Sequence, residues 1–253
     1  MTSPIRPDTD RGATYSAGSD SAHGMPEKAS VIEDFIDIFY APSTVFARRE
    51  KSGFGIQLLI ITVVTALFVF ASRGVFSQIF DAEFARGAAK AMAKSPQVTQ
   101  EMLDRMRPMQ EKVTSFSLYV MTPIIIFLTA FIVWVTSKIL SIKLTYTQAA
   151  AITTLAWTPR LIGGLLGALQ VLLTDTTNVT TPFALGFSPA RFMNPDTVNG
   201  KLYGLMASFD AFSIWYAVLM GIGIAVMGKV PRSRGYATAA IVFAITTIPF
   251  LFR

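Results

Sequence analysis

The sequence predicts an all-α fold, a polytopic membrane bundle of five transmembrane helices, and three observations carry that reading. Five long apolar stretches, separated by short polar breaks, run from about Phe54 to the end of the 253-residue chain. Hydrophobic residues make up 52% of the chain and charged residues only 15%, with a positive mean hydropathy, far from the balance of a soluble domain. Most of the basic residues gather in the breaks. A spanning helix needs about 20 mostly apolar residues, because lipid offers the backbone amides no partner and the helix must satisfy them itself.

Residues 1–30 are rich in Ser, Pro, Asp and Gly and hold no apolar run, so they read as a disordered cytoplasmic tail ahead of a membrane domain over 31–253. The tail lacks the apolar core of a secretory signal, and the chain's only histidine, His23, sits inert within it. Within the segment from Val31 to Phe46 the spacing predicts a helix, after which Val45 and Phe46 lead into a basic cluster. Ile32, Phe35, Ile36 and Phe39 share one face, Glu33, Asp34 and Asp37 take the other, and Pro42 ends it. An acidic face is repelled by anionic headgroups. The helix therefore packs on the cytoplasmic ends of the spans or on another protein, and the Ile32, Phe35, Ile36 and Phe39 face is a candidate partner-docking surface.

The first span covers about 54–72 and closes at Arg73; the second covers 113–137 and ends at Lys138. The third, 149–174, is interrupted by Pro159 and Arg160, and reads either as one bent helix or as two half-helices. The fourth, 203–228, contains the carboxylate Asp210, and the fifth, 236–252, stops at Arg253. The outer loop between the first two spans is predicted helical, with Ser95-Pro96 as an N-cap and first-turn proline. Beyond it Met102, Met106, Met109 and Val113 form a stripe that packs on the outer surface or at the headgroups. Residues 175–201, dominated by Thr, Asn and Pro, read as an irregular connection.

Orientation follows the basic residues of the short loops. A cytoplasmic N-terminus places Arg48, Arg49, Lys51, Lys138, Lys143, Lys229, Arg232 and Arg234 inside, leaving Arg191, Lys201 and Arg253 outside. The loop 73–112 dissents with seven basic residues, but it also holds five acids and its length weakens its vote. The predicted location is the inner cell membrane, N-terminus cytoplasmic and C-terminus outside.

Arg160 and Asp210 stand out among single residues. A charge near mid-bilayer costs a few kcal/mol even on the lenient insertion scale, so it is paired, hydrated or functional. Entering from opposite sides at about 1.5 Å per residue, the two reach overlapping depths, which makes them a candidate intramembrane polar pair. A static ion pair or snorkelling is the plain reading, and a polar site at a Pro-broken helix the functional one. Gly163 with Gly167, and Gly221 with Ala225, form small-xxx-small pairs that predict close packing of the third and fourth spans.

Chemistry is scarce. Without cysteine there are no disulfides and no thiolate metal sites. No span holds a histidine, and Asp210 stands alone, so the constellations that membrane-embedded hydrolysis needs are missing. No catalytic, cofactor-binding or metal residues are predicted. The +6 charge lies in the loops that orient spans rather than in a basic stripe with aromatics, so nucleic acid is not a partner. The predicted partners are the lipid bilayer and an unidentified membrane or cytoplasmic protein. The leading function is a non-enzymatic scaffold or adaptor; the alternative is a transporter or channel-like subunit using Arg160 and Asp210.

Four features in their order give a family resemblance. They are Phe39-Tyr40-Ala41-Pro42 with Val45-Phe46 before the first span, and the Ala156-Trp157-Thr158-Pro159 break. There follow Phe209-Asp210-Ala211-Phe212-Ser213-Ile214-Trp215 with Leu219-Met220-Gly221-Ile222-Gly223, and the short basic turn Lys229 to Arg234. Together they make the chain, over roughly Ile32 to Phe252, resemble the bacterial branch of the Yip domain family. These are five-span membrane proteins named for interacting with Ypt/Rab GTPases. The resemblance implies an all-α integral membrane protein with a cytoplasmic N-terminus and no enzymatic activity. Eukaryotic relatives are associated with vesicle traffic and membrane shaping, and none of their partner-binding residues is carried over.

Overall fold

The computed structural model describes residues 30–173, Val179 and 181–249, and the regular structure among them is helical throughout. The expectations for the tail with His23, and for the end of the fifth stretch with Arg253, fall outside these residues. Ten α-helices are described: α1 (Val31–Asp37), α2 (Pro42–Arg49), α3 (Gly55–Ala71), α4 (Arg73–Lys94), α5 (Gln100–Ile139), α6 (Tyr146–Ala156), α7 (Thr158–Leu173), α8 (Gly200–Ser208), α9 (Ala211–Met227) and α10 (Arg232–Thr247).

Pro42 begins a helix rather than ending one. It stands at the first position of α2, where its missing N–H costs nothing and its fixed φ suits the first turn. The preceding α1 is not split into an apolar and an acidic face as its spacing predicts, because Asp34 points inward and is fully buried. Its carboxylate accepts from Arg48 Nε at 2.8 Å, Arg49 Nε at 2.6 Å and Gln57 Nε2 at 3.4 Å, while Arg48 Nη2 also donates to Asp37 at 2.8 Å. A buried carboxylate is tolerable only when paired and hydrogen-bonded. Burial alone would lower the Arg48 pKa, but the hydrogen bonds and charges of Asp37 and Asp34 outweigh it and raise the value above the usual arginine range. This clamp ties α1 to α2 and to the start of α3.

The first apolar stretch forms α3, but Arg73 continues into α4, which departs at 74°. The loop predicted helical is therefore helical, with its caps shifted. Ser95 ends α4, and Thr99 caps α5, its hydroxyl accepting from Met102 N. α5 runs on for 40 residues through Pro108 and Pro123. Met102, Met106, Met109 and Val113 lie exposed along its first half. Against α4 this half is held by Arg107 and Asp81 at 2.6 Å.

The third stretch is two helices. Thr145 and Gln148 form a capping box that starts α6. Every residue of α6 from Ala149 to Ala156 is buried, so this helix is the centre of the bundle rather than a lipid-facing span. The chain breaks at Trp157, and Pro159 falls in the first turn of α7. The fourth stretch is also two helices, α8 and α9, bent by 54° at Phe209–Asp210. By length and composition α5 is long and apolar enough to cross a membrane, and counting the bent pairs α3–α4 and α8–α9 as single spans raises the number among the described residues to three.

The core gathers on α6 and α9, where Phe46, Ile61, Ile126 and Val133 of neighbouring helices close around residues such as Ile152 and Ile224. Between apolar helices lipid supplies no hydrophobic drive, so close packing through small residues matters most. Gly221 and Ala225 serve the α9–α10 seam rather than the expected contact of third and fourth stretches. A Cβ on Gly221 would lie 3.1 Å from Tyr236 Cα. Gly163 does bring α7 onto α9, since a Cβ there would sit 2.7 Å from the Phe212 ring.

One end of the bundle is tied by polar contacts. Ser141 and Lys229, both at positive φ, close the C-termini of α5 and α9 with bonds from Ile142 N to Ser137 O and from Val230 N to Ala225 O. Arg234 Nη2 donates to Leu140 O at 2.6 Å, and Lys229 pairs with Glu50 at 3.1 Å. The ends of α2, α5 and α9 and the start of α10 thus meet at one level.

Candidate functional site

The two helix breaks face one another across a chamber of about 660 Å³ whose lining includes both Arg160 and Asp210. Neither residue is placed at mid-helix. Asp210 is the N-cap of α9, its Oδ1 accepting from Phe212 N at 2.9 Å and Ser213 N at 3.3 Å. Its Oδ2 accepts from Phe187 N at 2.8 Å, which fastens the connection between the 3-10 turns Pro182–Leu185 and Pro189–Phe192 to the start of α9. Three backbone donors and the positive end of a 17-residue helix compensate this carboxylate. An aspartate directly before an apolar run is an N-cap signature, and that local signal could have located it.

Arg160 lies in the first turn of α7, partly buried. Its guanidinium carbon stands 4.6 Å from the Trp157 ring and 4.4 Å from the Tyr216 ring, which meet edge-to-face at 5.6 Å, so the cation occupies an aromatic corner. A desolvated cation–π contact contributes about 2 kcal/mol, which offsets part of the cost of taking the charge out of water. Nη2 donates to Ser213 Oγ at 3.3 Å, and the buried Nε has no hydrogen-bond partner. Among the described residues no carboxylate forms an ion pair with Arg160; the structure brings Asp210 to the same chamber without a direct bond. The physical reason is prior occupation, since the backbone donors of α9 and Phe187 already hold Asp210. Arg160 also borders a smaller cavity of about 210 Å³ against Val64 and Phe68 of α3.

The rest of the chamber is mostly apolar. Ile125 and Leu128 of α5, Phe187, Phe212 and Phe243 line it, with hydroxyls from Thr129, Ser188 and Ser213. The Ser188 hydroxyl is buried without a hydrogen-bond partner. Trp157 stands three residues before Arg160 in the chain, whereas Ser213 and Tyr216 escape a reading of the sequence because only folding sets them beside it. Ser213 and Tyr216 do share a face of α9 at helical spacing. Among the described residues no three His, Cys, Asp or Glu side chains gather as a metal site.

The candidate docking face divides. Phe35 and Phe39 pack on the core, Phe39 meeting Trp215 edge-to-face at 5.0 Å, whereas Ile32 and Ile36 are 67% and 56% exposed.

The family model of the Yip1 domain matches residues 36–252, which takes in α2 through α10 and both breaks. The chain belongs to the Yip1 domain family. Membrane protein YknW of Bacillus subtilis (strain 168) is 25% identical over 127 residues, 50% of this chain and 52% of that protein, so the match spans about half of the relative. No solved structure matches the chain. This Yip1 domain is thus an all-helical membrane protein in which the chamber joins the two breaks.

Proposed function

We propose that this Yip1 domain protein is a non-enzymatic, multi-pass membrane scaffold whose working part is the chamber between α7 and α9, and that the chamber binds rather than conducts. The observation that carries this reading is the contrast between a mostly apolar lining and one cation with an unfilled donor. A conducting path needs polar groups repeated along its length to replace the hydration shell. Here the lining is mostly apolar and Asp210 is taken up by the backbone, which counts against the transporter reading. A volume of 660 Å³ falls within the roughly 300–1,000 Å³ typical of small-molecule sites.

Leu128 lines the chamber from α5, and Leu128→Trp fills part of it from outside the Arg160 and Asp210 cluster. Native mass spectrometry of the full chain should show bound membrane amphiphiles retained by the wild type and at least five-fold less retained by Leu128→Trp. Proteoliposomes should show no solute flux above empty vesicles. Flux abolished by Leu128→Trp would establish transport instead.

Five crossings in the inner membrane, with the N-terminus cytoplasmic, are proposed on the same footing. The tied end of the bundle carries Lys138, Lys143, Lys229, Arg232 and Arg234 in its helix ends and turns, a density that belongs inside. A second reading, an adaptor docking a protein on Ile32 and Ile36, draws on their exposure above a clamped α1. Crosslinking from a cysteine at Ile36 in native membranes would test it, and absence of any reproducible adduct would count against it.

A further inference from the structure

The polar groups of the chamber define what it can hold. Three buried groups in residues that line it have no hydrogen-bond partner, and each can donate: the Nε of Arg160 and the hydroxyls of Ser188 and Tyr216. Trp157 and Tyr216 form a corner around the guanidinium, and Ser213 takes one of its N–H groups. A rigidly held guanidinium with free edge donors suits the oxygens of a carboxylate or phosphate. The one acid in the chamber does not cancel this preference. Both oxygens of Asp210 face backbone N–H groups, and the start of α9 lies against it. Beyond the polar cluster the lining turns to Ile125, Leu128, Phe243 and Ile245, which offers a chain contact, while the hydroxyls of Thr246 and Thr247 there already donate to Phe243 O.

We propose that the chamber is a site for an anionic amphiphile, with its carboxylate or phosphate headgroup on Arg160 and Ser188 and its hydrocarbon chain along the apolar wall from α5 and α10. This rests on the chamber being a binding site, and it adds the ligand class and the residues that select it. A small anion without a chain lacks the apolar contacts, and a zwitterionic amphiphile places a cation beside Arg160.

The full chain in detergent is titrated with four probes and read by native mass spectrometry: phosphatidylglycerol, phosphatidylcholine with the same chains, palmitate and inorganic phosphate. The wild type should bind phosphatidylglycerol, palmitate or both at least ten-fold tighter than phosphatidylcholine, and inorganic phosphate no better than a control protein. The two anionic arms distinguish a membrane phospholipid from a free fatty acid as the source. Arg160→Gln should abolish the preference and Arg160→Lys should keep part of it. Ser188→Ala should weaken anionic binding several-fold without loss of folding, since that hydroxyl makes no hydrogen bond within the protein. Equal binding of phosphatidylcholine and phosphatidylglycerol with no palmitate preference, or a preference unchanged in both Arg160→Gln and Ser188→Ala, would overturn the ligand class while leaving the chamber as a binding site. Loss of every amphiphile from the wild type would remove the chamber reading itself. Tight binding of inorganic phosphate alone would replace the amphiphile with a simple anion.

Discussion

Asp34 holds more of the molecule together than a place in a seven-residue helix would suggest. Two arginines and a glutamine converge on it with no exposure to solvent, so its removal takes from Arg48 and Arg49 the buried carboxylate they share. Asp34→Ala should therefore cost about 3 kcal/mol, the lower end for breaking a buried pair. Asp37, whose side chain is 42% exposed, meets Arg48 at the surface, and Asp37→Ala should cost less than about 1 kcal/mol. Denaturant unfolding of the solubilised full chain distinguishes the two; equal losses would mean the clamp does not centre on Asp34. Arg160 and Asp210 show the same logic in the chamber. Each is a charge drawn toward the apolar chamber, and each is accommodated by neighbouring side chains or by the backbone.

The two broken helices and the glycine seams shape how those residues meet. α6 ends at Trp157 because Pro159 has no N–H to continue the ladder, and α8 yields to α9 where Asp210 caps the new helix. Both breaks turn backbone and side-chain donors toward one space. α9 and α10 touch through Gly221, where a Cβ would meet the Tyr236 backbone and ring. Gly221→Ala should lower stability by about 1–3 kcal/mol through overpacking. Gly74 on α4 faces open space, so Gly74→Ala should be neutral or raise stability by about 0.4–1 kcal/mol. Thermal midpoints of the two variants in one detergent check the pair, and a destabilised Gly74→Ala with an unaffected Gly221→Ala would refute the seam.

For the bundle as a whole, sidedness is the sharpest expectation. The chain contains no cysteine, so single cysteines report accessibility without background. Lys143 lies in the turn before α6, at the end tied by Arg234 and Lys229, and Lys201 opens α8. An impermeant maleimide should label a cysteine at Lys201 in intact cells and one at Lys143 only after permeabilisation. Labelling of both from one side would end the five-crossing arrangement.

The membrane class, the all-helical fold and the break at Pro159 are legible in the sequence, because apolar length, proline and basic turns act through local backbone chemistry and through the bilayer; the break at Asp210, inside a stretch that reads as one span, is a finding of the structure. The family likeness rests on the same local features in order. What Asp34, Asp210 and Arg160 do is not legible in that way. Spacing put Asp34 on a solvent face, yet partners 14, 15 and 23 residues away draw it inside. A mid-span pairing of Arg160 with Asp210 gives way because nearby N–H groups take the carboxylate first, and an aromatic corner built from Trp157 at the α6–α7 break and Tyr216 of α9 receives the cation. Hydropathy and periodicity count residues along one chain direction. Which buried donors remain unfilled depends on side chains brought together across the bundle, and only the tertiary structure decides that.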